Sequence, residues 1–479
     1  MTEHVDVLII GAGLSGIGAA AHLTRELPGT SYVVLEARAV SGGTWDLFRY
    51  PGIRSDSDMH TMGYAFRPWR HEEALGSGER ILEYLRDTAS EYDVDRHVRY
   101  SHRVLRASWD SAEARWTVEA EHERRRVRLT AGLLWSCCGY YDYERGHEPE
   151  FAGAADFRGV VVHPQRWPSD LDWTGARVVV IGSGATAVTL VPAMAGEAAH
   201  VTMLQRSPTY VLSLPRRDAF AARARRWLPD RLAHPVIRWK SILVQTVFYR
   251  LSRRRPSFVR RLVRKQNLAL LPDGYDVDTH FTPTYQPWDQ RMCFVPDADL
   301  FKAVRRGDAE VVTATIDRFD AGGIVLADGR HLPADIVVTA TGLTLSPFGG
   351  IELVVDGTRV DPAQTMTYRA MMLSGVPNFV FTIGYTNASW TLKVDVVARF
   401  VTRLLAYMGE RGHRSVVARR DPSVREVPLM DFTSGYVVRA LDRLPSQGDR
   451  EPWQLRQGYL RDRRTISRAP LDDGVLDFG

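Results

Sequence analysis

Residues 5–23, VDVLIIGAGLSGIGAAAHL, predict a buried strand, a tight turn and a helix rich in small residues. Gly11, Gly13 and Gly16 have the spacing G-x-G-x-x-G. The first glycine permits the sharp turn, the second lets a phosphate approach the backbone, and the third lets the helix pack closely on the strand. The N-terminus of the helix then offers free N–H groups to an anion. The stretch therefore predicts a dinucleotide-binding unit.

The next strand, SYVVLEAR at residues 31–38, carries Glu36. A carboxylate at this position accepts hydrogen bonds from ribose hydroxyls and repels a 2′-phosphate. A glycine turn without a ligand is the alternative, but here strand, turn, helix and acid stand in register. We therefore expect an adenine dinucleotide without a 2′-phosphate at this first turn.

Residues 176–194, ARVVVIGSGATAVTLVPAM, repeat the pattern, and the strand that follows ends on Arg206 instead of an acid. A guanidinium can bind phosphate oxygens bidentately, although an arginine at a strand end is often only a solvated surface residue. The opposite charges predict FAD at the first turn and NADPH at the second. The residues expected to hold NADPH are Gly182, Ser183, Gly184, Ala185, Thr186, Ala187, Gln205 and Arg206.

These units predict an α/β protein with two Rossmann-like dinucleotide-binding domains, the second inserted in the first, and a helical insert in the NADPH domain. The strand at 334–342 is expected to return the chain to the FAD domain. The expected divisions are 1–145 and 341–479 for the FAD domain, 146–215 for the linker and first part of the NADPH domain, 216–275 for the basic insert, and 276–340 for the rest of the NADPH domain.

The composition is that of a globular protein, with 44% hydrophobic and 25% charged residues. No apolar run approaches the length of a membrane span. The three cysteines, Cys137, Cys138 and Cys293, include no C-x-x-C pair, which disfavours a disulfide framework, a dithiol centre and a zinc cluster. We expect a cytoplasmic protein without a metal.

The link between the two units, FRGVVVHPQRWP at residues 157–168, fits F-x-G-x-x-x-H-x-x-x-W-P. That string, together with GGTWDLFRYPGIRSD at residues 42–56, resembles the fingerprints of type I Baeyer–Villiger monooxygenases. The resemblance extends along almost the whole chain. It implies that Gly159, His163 and Trp167 are hinge residues that accompany domain movement, although a packed linker without special function is equally compatible with the residues.

The resemblance also implies a reaction and its site. Reduced flavin, O₂ and NADPH would insert one oxygen next to the carbonyl of a hydrophobic ketone, and sulfides or thioamides would also be oxidised. Arg291 would stabilise the negative charge that develops on the reacting oxygen atoms, and Asp56 would orient the arginine. The alternative is that Arg291 forms only a surface ion pair with Asp289. Dedicated N- or S-oxygenation is the alternative reaction. The implied cofactor contacts further include Ser15, Thr44, Trp45, Asp46, Leu47, Arg54, Asp56 and Val104, besides Gly11, Gly13, Gly16 and Glu36.

The segment 216–265 differs in charge from the rest of the chain, with 16 Lys and Arg against two Asp. A solvated helical cap is the default interpretation, and the resemblance implies that such an insert helps to cover the substrate site. Peripheral contact with an anionic membrane is the sharper alternative. Nucleic acid is not an expected partner, because no known nucleic-acid-binding motif accompanies the charge.

Overall fold

The computed structural model describes residues 2–430 and 432–479. The first part of the chain forms most of one large sheet and its helices. Its elements are β1 (Glu3–Ile10), α1 (Leu14–Glu26), β2 (Tyr32–Leu35), α2 (Thr44–Leu47), α3 (Met59–Met62), α4 (Gly78–Glu91), β3 (Val98–Arg99), β4 (Arg103–Asp110), β5 (Arg115–His122), β6 (Arg125–Ser136) and β7 (Tyr141–Gly146).

The central part forms a second sheet and a group of helices. Its elements are β8 (Val160–Val162), β9 (Arg177–Ile181), α5 (Ala185–Met194), β10 (His200–Gln205), β11 (Val211–Leu214), α6 (Ala219–Trp227), α7 (Asp230–Arg254), α8 (Pro256–Leu270), α9 (Val277–Phe281), β12 (Cys293–Pro296), α10 (Asp299–Arg306), β13 (Ala309–Thr313), β14 (Ile316–Asp320), β15 (Gly323–Leu326), β16 (His331–Pro333) and β17 (Ile336–Thr339).

The last part returns to the first sheet. Its elements are β18 (Leu343–Leu345), β19 (Glu352–Val355), β20 (Thr358–Arg359), β21 (Thr367–Tyr368), β22 (Met372–Leu373), β23 (Phe379–Phe381), α11 (Trp390–Arg411), β24 (Val416–Ala418), β25 (Glu426–Pro428), α12 (Gly435–Val438), β26 (Ser446–Gly448), α13 (Tyr459–Thr465) and β27 (Leu476–Phe478). The described residues also include short 3-10 turns, among them Pro164–Arg166 in the link.

The first sheet is built around β1, which lies between β2 and β6 and runs parallel to both. The last four residues of β1 are buried, as expected for a strand covered on both faces of a parallel sheet. Helix α1 covers one face beside α11. The apolar run that predicted the first strand therefore supplies the centre of the first domain.

The second sheet has the strand order β13-β10-β9-β17-β8, and each neighbouring pair is parallel. Strand β17 was expected to return the chain to the first domain, and this expectation was wrong for the strand itself. All four of its residues are buried between β8 and β9, because the run IVVT is apolar enough for an interior position. The return follows in β18, which pairs antiparallel with β7. The two crossings between the domains therefore form one ribbon.

The basic segment contains α6, α7 and α8, and α7 is anchored to the first domain by a buried arginine. The guanidinium of Arg238 donates to the carbonyl oxygens of His60, Thr61 and Gly63 and to the carboxylate of Asp395, at distances of 2.6–3.2 Å. Removing any of these partners would leave a buried charge incompletely paired, so Arg238 fixes the position of α7 on the first domain. Among the described residues, no helix combines the length and apolar character needed to cross a bilayer.

Candidate active site at the domain interface

A cavity of about 820 Å³ lies along the carboxyl ends of β1 and β2 and reaches the second domain. This volume is in the range of cofactor and ligand sites. The predicted residues that line it are Gly11, Gly13, Ser15, Glu36, Thr44, Trp45, Arg54, Asp56, Val104, Ala185 and Arg291. Sequence positions nearly 300 residues apart therefore meet in one space.

The first glycine turn has the shape that the motif predicts. Gly11 has φ +99°, and a Cβ on Gly16 would lie 1.8 Å from the carbonyl oxygen of Gly11. Strand and helix therefore approach more closely than any other residue allows. Helix α1 begins at Leu14 without a side-chain cap, so its first N–H groups are free to face an anion. These features fit the pyrophosphate of FAD.

Glu36 is hydrogen-bonded to the same turn. Its carboxylate is buried and accepts the backbone N–H groups of Ala12, at 2.7 Å, and Arg38, at 2.9 Å. Burial raises the pKa of Glu36 despite these hydrogen bonds. Each carboxylate oxygen keeps a further acceptor position at the cavity. The geometry fits a ribose whose hydroxyls donate to this carboxylate.

The turn Thr44–Leu47 divides between the cavity and the protein interior. Thr44 and Trp45 line the cavity. The buried carboxylate of Asp46 instead pairs with three arginines, Arg38, Arg49 and Arg86. The side chain of Leu47 packs on the core of the second domain. Asp46 and Leu47 are therefore not among the residues that line the cavity, and their predicted contact with the flavin stays a prediction.

The second turn packs on the end of a neighbouring strand as the first does, but Ala187 stands where the first turn has Gly16. A Cβ on Gly182 would lie 2.3 Å from the carbonyl oxygen of Ala340, whereas a Cβ on Gly184 would meet nothing within 4 Å. Helix α5 begins at Ala185 without a side-chain cap. The open space above Gly184 and the free N–H groups fit the pyrophosphate of a second dinucleotide.

Two polar side chains around the second turn are hydrogen-bonded to other protein groups. The hydroxyl of Ser183 is 2.9 Å from that of Thr209, and Ala187 is buried. Gln205 donates its amide to the carbonyl oxygen of His280 and the hydroxyl of Thr313. The amide donor of Gln205 is thus used inside the protein, and its predicted contact with NADPH stays a prediction.

Arg206 follows Gln205 directly and is exposed at the end of β10. It forms no ion pair with the described residues. Its guanidinium is thus available to a phosphate in solvent. The contrast between buried Gln205 and exposed Arg206 follows from the alternation of side chains as β10 ends.

The predicted catalytic pair is formed. Arg291 donates to Asp56 at 2.7 Å, and about 40% of the arginine side chain is accessible on the cavity side. The carboxylate of Asp56 raises the pKa of Arg291, so the guanidinium stays charged. The alternative pair between Arg291 and Asp289 is absent from the described residues, because Asp289 binds Arg253 at 2.6 Å.

Three tyrosines near this pair were missed from the sequence. Tyr140, Tyr141 and Tyr436 lie close enough to Arg291 to interact with it electrostatically. The hydroxyls of Tyr140 and Tyr141 are 3.2 Å apart, and burial raises the pKa of Tyr141 to about 12. The run GYYDY follows the carboxyl end of β6, the edge where ligands bind in such sheets. That position was a usable signal for Tyr140 and Tyr141, whereas none marks Tyr436.

Arg54 enters the cavity wall from the loop that carries Asp56. It donates to Asp299 at 2.6 Å, and the pKa of the arginine is lowered by burial. Asp299 begins α10 in the second domain. Arg54 is therefore an ion-pair contact between the domains as well as a residue of the cavity.

The residues of the link are packed rather than free. The His163 ring lies against the backbone of Gly146 in β7, where a Cβ would be 2.1 Å from the ring. Its Nδ1 accepts from the N–H of Gln165, and Nε2 has no partner among the described residues. Burial lowers the pKa of His163. Trp167 meets Trp173 edge to face, and Gly159 allows close approach to the Asp335 carbonyl oxygen.

Comparison with known proteins identifies the class. Residues 72–405 match the flavin-binding monooxygenase-like family, and residues 9–71 match an NAD(P)-binding Rossmann-like domain. The chain therefore belongs to the flavin-binding monooxygenase-like family. It is a flavin monooxygenase, as the sequence predicted.

Two closely similar relatives are FAD-containing monooxygenases. The chain is 55% identical to the FAD-containing monooxygenase EthA of Mycobacterium tuberculosis over 480 aligned positions, which cover 100% of this chain and 98% of that protein. It is 51% identical to EthA of Mycolicibacterium smegmatis, with the same coverage. The predicted cofactors, FAD and NADPH, agree with these FAD-containing relatives and with the Rossmann-like match.

Solved structures share the fold at lower identity. An oxidised steroid monooxygenase bound to NADP gives a TM-score of 0.77 at 23% identity, covering 99% of each chain. An open cyclohexanone monooxygenase gives 0.77 at 20% identity, covering 100% of each. The predicted fold class, two Rossmann-like domains, is confirmed.

Proposed function

We propose that this flavin monooxygenase inserts one atom of O₂ next to the carbonyl of a hydrophobic ketone. In the net reaction, ketone, O₂, NADPH and H⁺ give an ester or lactone, NADP⁺ and water. FAD at the first turn, once reduced, would supply the activated oxygen. The observation that carries the proposal is the Arg291–Asp56 pair in the wall of the cavity.

The role of Arg291 follows from charge. Negative charge develops on oxygen as a nucleophilic oxygen adds to a carbonyl carbon, and a fixed cation stabilises it. The Asp56 carboxylate holds the guanidinium by a single donor, Nη2, at 2.7 Å, which leaves its other N–H groups without a hydrogen bond to the described residues, and Arg291 lines the cavity. Arginine suits this role because it keeps its proton at working pH.

NADPH would bind the second turn, with Arg206 on its 2′-phosphate and the N-terminus of α5 at its pyrophosphate. Arg54 would meet the nicotinamide nucleotide where the two domains join. His163 and Trp167 would act as conformational residues, because the link packs on the ribbon formed by β7 and β18. Movement of one domain against the other must pass through this ribbon.

The substrate class is proposed from the cavity wall. Tyr140, Tyr141, Trp390 and Phe294 supply aromatic surface beside the cation, which suits a hydrophobic ketone and also a sulfide or thioamide. An assay with a ketone and a sulfide of matched size separates this proposal from dedicated heteroatom oxidation. Ester formation supports it, whereas sulfoxide as the sole product would contradict it.

The direct test is Arg291→Ala, with Arg291→Lys as the conservative variant. We expect NADPH to reduce the flavin at the wild-type rate while ester formation falls about 100-fold or more, the usual loss when a stabilising donor is removed. Lysine should restore part of the rate. The matched control is Arg253→Ala, which removes a surface ion pair. Normal ester formation by Arg291→Ala would overturn the assignment.

A further inference from the structure

The insert helices α6, α7 and α8 present an apolar surface to solvent. Among the described residues, fifteen large hydrophobic side chains are exposed, and ten of them lie between residues 220 and 268. They are Phe220, Trp227, Leu232, Val236, Leu243, Val244, Val247, Phe258, Leu262 and Leu268. Scattered exposed apolar residues are ordinary, but a concentration of this kind marks an interaction surface.

The apolar residues of α7 are arranged as a stripe. Leu232, Val236, Leu243 and Val247 have the spacing i, i+4, i+11, i+15, which places them on one side of a helix with 3.6 residues per turn. The same spacing continues to Arg250 and Arg254, both exposed. The stripe therefore ends in positive charge at the C-terminus of the helix.

Further cations flank the stripe without a carboxylate partner. Within residues 2–430 and 432–479, no ion pair involves the exposed cations of α6–α8 at positions Arg223, Arg226, Arg231, Arg250, Arg254, Arg255, Arg261 and Lys265. Other arginines of the segment are used internally: Arg238 binds Asp395 and Arg264 binds Asp278. The free cations thus form a separate set that faces solvent beside the apolar side chains.

We propose that the outer surface of α6–α8 docks on the anionic face of a lipid bilayer. Apolar side chains enter the interface while arginines bind lipid phosphates, the combination that holds interfacial helices at membranes. Trp227, 76% exposed, has the amphipathic ring that favours the headgroup region. Nucleic acid would leave the apolar stripe in water, and a protein partner would not require so many cations.

The opposite face of α7 connects this surface with the active site. Ile242 packs on Tyr385 and Leu392, and Tyr385 lines the cavity. A helix is about 10 Å across, so the docking surface lies one helix width from the cavity wall. This inference rests on the proposed function in one respect: a docked enzyme would take its hydrophobic ketones from the membrane.

Flotation of the FAD-loaded enzyme with vesicles tests the docking separately from the chemistry. One vesicle contains phosphatidylglycerol and phosphatidylcholine, and the other contains phosphatidylcholine alone. We expect flotation with the anionic vesicle, weaker flotation at high salt, and little with the neutral one. No flotation, or equal flotation with both vesicles, would overturn the proposal even if the enzyme forms esters.

Paired variants locate the surface. Arg250→Gln with Arg254→Gln should lower the partition onto anionic vesicles by about tenfold or more, since each basic residue contributes about fivefold. Leu243→Gln with Val247→Gln should lower it similarly. The matched control, Arg124→Gln with Arg125→Gln, removes two charges from the β5–β6 turn and should change the partition little.

A second copy of the chain is the competing occupant, and size-exclusion chromatography with light scattering detects it. A monomer in solution that floats through these helices supports the proposal. A dimer that Leu243→Gln with Val247→Gln dissociates, without loss of vesicle binding, would overturn it. Retained flavin content and helical circular dichroism show that each variant is folded.

Discussion

The two glycine turns share their first two glycines but differ at the third position, where Gly16 is replaced by Ala187, and in the charged residue that follows the next strand. At the first, Glu36 is buried and binds two backbone N–H groups of its own unit. At the second, Gln205 takes the buried place and Arg206 remains in solvent. The comparison teaches that one motif can present a buried acceptor or an exposed cation, depending on the residues that follow the next strand.

The largest effect is expected at the close approach of the first turn. Gly16→Ala would place a Cβ 1.8 Å from the Gly11 carbonyl oxygen and should cost about 3 kcal/mol, roughly 3–5 °C in melting temperature for a protein of this size. The flavin content should fall with it. Differential scanning fluorimetry and the ratio of flavin to protein measure both.

The second turn supplies the control for this change. Gly184→Ala adds a Cβ in open space and should leave the melting temperature within about 1 °C, while the KM for NADPH rises because the phosphates lose room. If Gly16→Ala retains full flavin and the wild-type melting temperature, the two turns do not differ as described.

An intermediate effect is expected at Arg206. Arg206→Ala should raise the KM for NADPH about 10- to 100-fold, because this is the usual loss of affinity when one charged hydrogen bond is removed. The KM for NADH should not change. Steady-state kinetics with both nucleotides measure the ratio. Arg318→Ala, another exposed arginine of the second domain, is the control. An equal rise for NADH would show that Arg206 does not recognise the 2′-phosphate.

The smallest effect is expected on the stability of the fold at low pH. The helix of the first turn, α1, contains the ion pair His22–Glu26, whereas the helix of the second turn, α5, contains no acidic residue. A hydrogen bond from His22 lowers the pKa of Glu26 from 4.5 to about 2. A depressed carboxyl pKa stabilises the fold above about pH 4.5, and that stability is lost as the pH falls towards 2. Because the side chain is one-third accessible, about 1 kcal/mol remains after solvent screening.

Melting temperatures at pH 7 and pH 3 check this prediction. Glu26→Gln should lose less stability on acidification than the wild type does. Glu79→Gln on α4 removes an exposed carboxylate without an ion pair among the described residues and should behave as the wild type. An identical acid response of Glu26→Gln and wild type would contradict the role of this pair.

Much of the flavin site could be predicted because its signals are local. Gly11, Gly16 and Glu36 act within one strand–turn–helix–strand unit, where spacing along the chain sets spacing in space. Asp56 was assigned from the second fingerprint and Arg291 from the region where the resembling family carries an arginine, and the two residues meet in the fold. The partners of the Asp46 and Gln205 side chains could not be predicted, because motif position does not reveal which neighbours bind a polar group.

The amino-acid sequence by itself determined the two dinucleotide units, their opposite charges and the basic character of the insert, since glycine conformation, strand burial and net charge are properties of short segments. Only the tertiary structure decided that Tyr436 lies near Arg291, that Arg238 anchors α7 to the first domain, and that the apolar stripe of α7 faces solvent. Those outcomes depend on contacts between segments far apart in the chain. Their energy comes from burial and charge pairing that exist only once the domains have packed.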